Sequence, residues 1–348
     1  VLEGHLRLCC ERYHAALQER RDAWRLVRVS IGFTPQTAPL PALKAARPDV
    51  TGVYSQVLQD VWHRVDRAFG GFCARVRRGD RPGFPRFRSA HRYDSLTYPQ
   101  LGFRVQGRHL HLSKIGRVKI TLHRPMAGRI TTLTITREAG QWFACFSGEV
   151  EPQPRPPSTE SIGLDVGLTH FATLSDGTAI ANPRPARRAE RQMRRAQRRI
   201  ARRRKGSARR RTAVRLFQAA QAHVRRQRAD MQHQLSRRLV DRSRLIAVEK
   251  LNIKGLATSM LAKPVHDAAW ASFITTLAYK AASAGRVLVT VDPRGTSQHC
   301  LCGAHVPKSM SQRWHRCPAC GLSAARDHVA AQVILRRGLS AFKTERGR

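Results

Sequence analysis

A chain of 348 residues, 41 % of them hydrophobic, is long enough for two or three domains with cores of their own, which excludes a wholly disordered polypeptide. Its 64 lysines and arginines face only 23 acidic residues, and a net charge of +41 repels itself unless a polyanion neutralises it; nucleic acid is the leading partner and an anionic membrane surface the weaker one. No run approaches the roughly 18 apolar residues that span a bilayer, and the opening Val1 to His5 resembles neither a signal nor a transit peptide, so cytoplasmic residence is the expectation.

Residues 6–29 read as a helix, with Tyr13, Leu17, Trp24 and Val27 at helix-like intervals among arginines. Residues 31–48 hold four prolines, at 35, 39, 41 and 48, and are expected to be a loop or a short rigid connection. A second helix is expected over 51–77, where Val53, Val57, Val61, Val65, Phe69, Phe72 and Val76 form a core stripe with Trp62 beside it. Gly83-Phe84-Pro85-Arg86-Phe87-Arg88 interleaves aromatics with arginines. Such a stretch either stacks on bases and riboses, with Arg86 and Arg88 as nucleic-acid contacts, or is an ordinary turn whose arginines snorkel. Short strands are expected at 101–105, 109–112, 117–122, 130–136 and 141–150, which suggests a small antiparallel barrel or sheet. The proline-rich residues 151–158 mark a linker and a domain boundary.

Residues 161–177, SIGLDVGLTHFATLSDG, read as a β-hairpin with Asp165 in its first arm. A carboxylate in an apolar strand needs a hydrogen-bonding partner or a cation; the plain alternative is a surface aspartate at a strand end. Residues 187–215 follow with fifteen Lys or Arg in twenty-nine positions and Glu190 alone opposing them. Arginines at 187, 191, 195, 199 and 203 repeat every four residues, and Lys205-Gly206-Ser207 breaks this helix from a second one reaching about residue 240. Like charges at that spacing destabilise an isolated helix. Two long helices laid along a phosphate backbone resolve the conflict, with Arg187, Arg191, Arg195, Arg199, Arg203, Lys205, Arg209 and Arg210 as contacts; a merely solvated face is the other reading. A buried-type strand at 245–249 ends in Glu249, a helix follows over 268–284, a strand over 286–291 and a last helix over 326–337. The order describes an α/β unit with a mixed sheet, its acidic residues at element ends.

Of the eight cysteines, four are scattered and four form a metal-ligand pattern, Cys300-x-Cys302, fourteen residues, then Cys317-x-x-Cys320. Four thiolates around Zn²⁺ make a closed structural site, a zinc ribbon. The first half is compressed, and His299 is the alternative ligand to Cys300 through an H-x-x-C spacing. Asp165, Glu249 and Asp327 lie on three elements of one α/β unit beside the most basic helices. Three carboxylates converging in a sheet are hard oxygen ligands for two Mg²⁺ or Mn²⁺ ions, one to activate water and one to stabilise the leaving 3′ oxygen of a phosphodiester.

These motifs, in order, resemble the TnpB (OrfB) family of insertion-sequence proteins, RNA-guided DNA nucleases related to type V CRISPR effectors. The resemblance covers GFPRFR at 83–88, GLDVGLTHFATLSDG at 163–177, RRKGSARR at 203–210, VEKLNIKGL at 248–256, TSQ at 296–298, the cysteine ribbon and Arg326-Asp327. It implies that Asp165, Glu249 and Asp327 are the metal-binding acids of an RNase H/RuvC-like site, with guide RNA and target DNA as partners and no membrane. The implied architecture is multidomain α/β: a helical recognition-type domain over 1–85, a wedge-type barrel over 86–155, a nuclease domain over 160–298 with an Arg-rich insertion at 186–240, a ribbon over 299–321, and the end of the nuclease domain over 322–342. Cytoplasmic, nucleoid-associated action follows, as a monomer or a homodimer. The resemblance departs at three points. The family pattern places a strand ahead of the first helix, whereas this sequence enters at the helix. It also has polar residues where Ala325, Val329 and Val333 stand, implying a thinner shell around Asp327. The third departure is the compressed cysteine knuckle. A binding protein that no longer cuts, an RNA-guided repressor or relic, and a transposase acting directly in recombination are the alternative readings.

Overall fold

The computed structural model describes residues 1–151, 155–309 and 311–346, and it divides into two units, Val1–Glu151 and Pro152–Arg348. Among the described residues no helix is long and apolar enough to cross a membrane.

In the first unit, α1 (Leu2–Val27) is core only as far as Arg20: Tyr13 and Leu17 are buried, but Trp24 and Val27 are exposed. The buried Arg20 guanidinium donates to Gln36 Oε1 at 2.6 Å and Asp66 Oδ1 at 3.0 Å, so its charge is compensated. The expected loop over 31–48 instead contains α2 (Phe33–Thr37), α3 (Leu40–Ala46) and α4 (Pro48–Thr51). Pro41 and Pro48 fall in the first turn of α3 and α4, where a missing N–H sacrifices no helical bond. In α5 (Ser55–Arg77) the valine stripe is buried through Val65, Trp62 joins it, and Val76 is exposed.

A strand not expected from the sequence, β1 (Ser95–Pro99), precedes β2 (Phe103–Gln106), β3 (His109–Leu112), β4 (Gly116–Lys119), β5 (Arg129–Glu138) and β6 (Gln141–Glu149). Its apolar alternation is two residues deep, Leu96 and Tyr98, and it ends on proline, which hides the signal. Of the expected barrel or sheet, the strand pairing gives sheets. The strands form two three-stranded antiparallel sheets, β1-β5-β6 and β2-β3-β4, because β1 captures β5 and leaves the β2–β4 meander as a separate ladder.

The second unit is built on a five-stranded mixed sheet in the order β11-β10-β7-β8-β9. Its strands are β7 (Ser161–Val166), β8 (His170–Leu174), β9 (Ala179–Ala181), β10 (Leu245–Glu249) and β11 (Val287–Val291). β7, β10 and β11 run parallel, whereas β8 and β9 continue antiparallel from the hairpin. Between β9 and β10 lie α6 (Pro185–Ala201) and α7 (Ala208–Arg242); between β10 and β11 lie α8 (Ile253–Leu256), α9 (Ala262–Ala268) and α10 (Trp270–Ser283). After β11 a short 3₁₀ turn, Thr296–Gln298, leads to the hairpin β12 (Trp314–Arg316) and β13 (Ser323–Ala325), which runs directly into α11 (Arg326–Arg346).

Strand alternation assigns the two faces of this sheet. Ile162, Leu164, Ile246 and Val248 pack with Leu235 and Leu239 of α7 and with Phe273 and Leu277 of α10. Leu245, Ala247, Val289 and Val291 cluster instead with Ile334, Leu335, Leu339 and Phe342 of α11. α11 approaches so closely that a Cβ at Gly163 would lie 2.0 Å from Ala331 O, and one at Gly338 would lie 2.4 Å from the Ala247 Cβ. Gly163→Ala is therefore expected to lose about 3 kcal/mol of stability, the upper range for overpacking; an unchanged melting temperature would mean that α11 shifts at no cost.

Candidate active site and metal centre

The same alternation puts Gly163 and Asp165 of β7 on the α11 side, together with Leu245, Ala247 and Glu249 of β10. The parallel ladder runs to Val248↔Leu164, and Glu249 and Asp165 are the next residue on each strand. Both carboxylates sit at the C-terminal ends of adjacent parallel strands. Asp327 enters from the first turn of α11, where the helix N-terminus favours an anion. Arg326 Nε donates to Asp327 Oδ1 at 3.4 Å.

Burial, then the charge of Glu249, then that of Asp327, push the Asp165 carboxyl up to about 8, against the pull of Arg326. Burial also raises Glu249, partly offset by a hydrogen bond from the Thr296 hydroxyl to its Oε1 and by the nearby Arg337 charge. Arg337 Nη1 in turn donates to Asp292 O and Arg294 O, both at 2.9 Å, and so holds the loop that delivers Thr296. Thr296 is buried in the TSQ stretch; its role toward Glu249 depends on the fold of the loop after β11, which strand periodicity does not report. Of the three positions flagged beside Asp327, Val329 and Val333 are buried and Ala325 pairs with Trp314 in the hairpin, so none supplies a polar group.

Among the described residues, Cys300, Cys302, Cys317 and Cys320 are the group of metal-ligand side chains whose donor atoms all lie within 4.8 Å of one another. Their Sγ atoms approach to 3.6 Å (Cys300–Cys320) and 3.7 Å (Cys302–Cys317). A tetrahedron of thiolates about 2.3 Å from zinc has edges of about 3.8 Å, so the donor set fits that ion. The compressed Cys300-x-Cys302 spacing closes because Gly303 adopts φ +95° and turns back to Cys300 O at 3.0 Å. His299 is turned elsewhere: its Nδ1 lies 2.7 Å from Gly295 O and its ring packs against His305, so the alternative ligand assignment is corrected in favour of four cysteines. Against burial, the N–H groups of Cys320 and Ala319 bring the Cys317 thiol down to about 7. The Leu322 N–H lowers Cys320, yet the thiols of Cys300, Cys302 and Cys317 outweigh it and push Cys320 up to about 12. A bound cation would stabilise all four as thiolates.

The arginine-rich helices hold the remaining candidates. Arg187, Arg191, Arg195, Arg199, Arg203, Lys205 and Arg209 are exposed. A cleft of about 560 Å³ between α6 and α7 brings Arg199, Arg203 and Arg209 to one place. Arg210 does something different: its Nη1 donates to Ile200 O at 2.6 Å and Arg203 O at 3.1 Å, capping the end of α6. The start of α6 is fixed by the buried Asp267, which accepts from Ala186 N at 2.9 Å and Arg187 N at 3.2 Å. In the first unit Arg86 and Arg88 are exposed, and Arg88 lies 5.4 Å over the Tyr13 ring.

Fold and site thus define an α/β protein with carboxylates at the C-terminal ends of two interior strands and the start of α11, a four-thiol knob and two strongly cationic helices. A family model described as "Probable transposase" (OrfB of the IS605 type) matches residues 145–260, and one described as "Cas12f1-like, TNB domain" matches residues 270–334. A protein of Streptomyces pristinaespiralis described as "Putative RNA-guided DNA endonuclease" is 32% identical over 94% of this chain and 83% of its own length. The Escherichia coli (strain K12) protein "Putative RNA-guided DNA endonuclease InsQ" is 28% identical over 82% of this chain and 74% of its own. The chain belongs to the TnpB (OrfB) family. A cryo-EM structure of a CRISPR-Cas12f ternary complex aligns with 96% of the chain and 80% of its own at 10% identity and TM-score 0.39, too loose a match to carry weight.

Two outcomes follow for the metal-free protein. Asp165 keeps its proton in the folded state up to about pH 8 but loses it near pH 4 when unfolded, so the native state binds more protons between those values and stability falls as pH rises. Melting temperature should therefore drop from pH 5 to pH 8 more steeply in the wild type than in Asp165→Asn, and Mg²⁺ should narrow the gap at pH 8. Equal pH slopes for the two proteins would contradict the shifted carboxyl. The purified chain should also carry one zinc by elemental analysis, and Cys317→Ser should lose the metal and lower the melting temperature.

Proposed function

We propose that this protein is a guide-RNA-directed DNA endonuclease of a mobile element, cutting phosphodiesters at Asp165, Glu249 and Asp327. The observation that carries the reading is the placement of Asp165 and Glu249 at the C-terminal ends of adjacent parallel strands, with Asp327 of α11 near enough to act electrostatically on the Asp165 carboxyl. The strand order, with a parallel core extended by an antiparallel hairpin, supports an RNase H/RuvC-like assignment. Relatives described as RNA-guided DNA endonucleases align along most of the chain and support the substrate class.

Hard oxygen donors of this kind suit Mg²⁺ or Mn²⁺, which when bound would supply the Lewis acidity that activates water and stabilises the leaving 3′ oxygen. Asp165 and Glu249 hold their carboxylates side by side for this, Thr296 fixes the orientation of Glu249, and Asp327 brings the third carboxylate from α11. The four-cysteine knob is read as a structural zinc ribbon that sets where α11 begins, since β13 leads into Arg326 without a linker. The exposed arginines of α6 and α7 are read as contacts to the backbone of a guide–target heteroduplex, and residues 1–85 and 86–155 as holders of guide RNA and the edge of the target duplex.

With its transposon-end RNA and Mg²⁺, the protein should cut a matching duplex and leave a 5′ phosphate. Asp165→Ala should abolish cutting while retaining RNA binding, and Thr296→Val should raise the Mg²⁺ needed for half-maximal cutting by about 10–100-fold, as loss of a ligand-orienting hydrogen bond does. Wild-type binding without cutting would favour the non-cutting reading, and joined strands in place of free ends would favour the transposase reading.

A further inference from the structure

We propose that the cleft between the second half of α1 and the GFPRFR segment is a stacking site for a single unpaired nucleotide, its base taken by Phe84 and Phe87 and its phosphates by Arg21, Arg81 and Arg86. The cleft measures about 600 Å³ and is lined by Arg21 and residues 81–87. That lies within the roughly 300–1,000 Å³ of small-ligand sites. Phe84 and Phe87 remain 46% and 43% exposed, a large apolar area for a turn on so cationic a protein.

These rings are nevertheless fixed. Phe84 makes perpendicular contacts with Phe69 at 5.7 Å and Phe72 at 5.3 Å, and Phe87 makes one with His14 at 5.3 Å. Pro82 and Pro85 stiffen the segment between them. Arg21 lies over both rings, its Cζ 5.9 Å from the Phe84 centroid and 5.3 Å from the Phe87 centroid, at the outer range of a cation–π contact that an incoming base would displace or share. Arg21, Arg81 and Arg86 have no carboxylate partner among the described residues, and no acid lines the cleft. Elsewhere arginines of this unit take the acids they can reach, as Arg47, Arg64 and Arg78 do. Half-exposed, pre-fixed aromatic rings among three uncompensated guanidiniums match a base with its flanking phosphates, which carries both a π face and the negative charge the cleft lacks. A paired base has both faces covered by its neighbours, so the ligand is an unpaired nucleotide of RNA or of single-stranded DNA.

The inference rests on the nucleic-acid reading above but not on cleavage. Full-length protein is titrated into a short single-stranded RNA carrying 2-aminopurine, into the same sequence as DNA, and into its fully paired duplex. Stacking should quench the probe in at least one single-stranded form, and the form bound more tightly identifies the source strand. Phe84→Leu/Phe87→Leu, which retains apolar bulk, should abolish the quench and weaken binding about tenfold or more, in line with the value of base–aromatic stacking. Arg21→Gln/Arg81→Gln/Arg86→Gln, at exposed positions, should lower the salt slope of binding by about 2, given roughly 0.7 per phosphate on a single strand. An undiminished quench in the leucine variant, or equal affinity for the paired duplex, overturns the site. Should Asp165→Ala abolish cutting while the leucine variant quenches like wild type, the stacking site alone fails.

Discussion

The docking of α11 against β7 and β10 is the constraint on which the second unit depends. Gly163 and Gly338 leave no room for a Cβ, the first against the Ala331 backbone and the second against the Ala247 methyl, and the core residues Ile334, Leu335 and Leu339 fill what remains. That approach sets the height at which the first turn of α11 passes the strand ends. Asp327 consequently enters the same face as Asp165 and Glu249 instead of pointing into solvent at a loop. The four-thiol knob acts on the same geometry from the other end, because β13 runs into α11 without an intervening loop, and Arg336 returns a hydrogen bond to Leu301 O of the knob.

Charge is distributed unevenly around this frame. The chain has few acids, and most of those in the second unit are committed: Asp267 to the start of α6, Glu190 to Arg194 and Lys263, and Glu160 and Asp176 to Arg242. Asp165 stands apart. It lies in an apolar strand beside two other carboxylates, so its ionisation is held back in a protein that otherwise offers arginine everywhere. The four thiols repeat the pattern with softer donors. At the knob the fold crowds four sulfur donors within 4.8 Å of one another, where a soft-tolerant ion such as zinc would relieve them.

The apolar positions beside Asp327 have a structural use. Val329 and Val333 are buried, and Ala325 sits in a strand pair, so these positions serve the packing of α11 and the hairpin before it. Thr296 then gains weight, because its hydroxyl hydrogen-bonds the Glu249 carboxylate from a separate loop.

Local order was largely legible from residue patterns. Alternation of Ile162 and Leu164 gave the strand that carries Asp165, the break at Lys205-Gly206-Ser207 separated α6 from α7, and the cysteine spacing isolated the knob, because period and turn chemistry are properties of a few neighbouring residues. Prolines misled over 31–48, where they open short helices, and β1 was too short to announce itself. Whether the strands of the first unit close or split, whether Cys300 or His299 enters the thiol cluster, and that Glu249 lies in register beside Asp165 with Thr296 upon it were decided only by tertiary structure. Each depends on which distant segments pair and at what distance, and the docking of α11 onto glycine fixes that for the second unit, where no local sequence period records it.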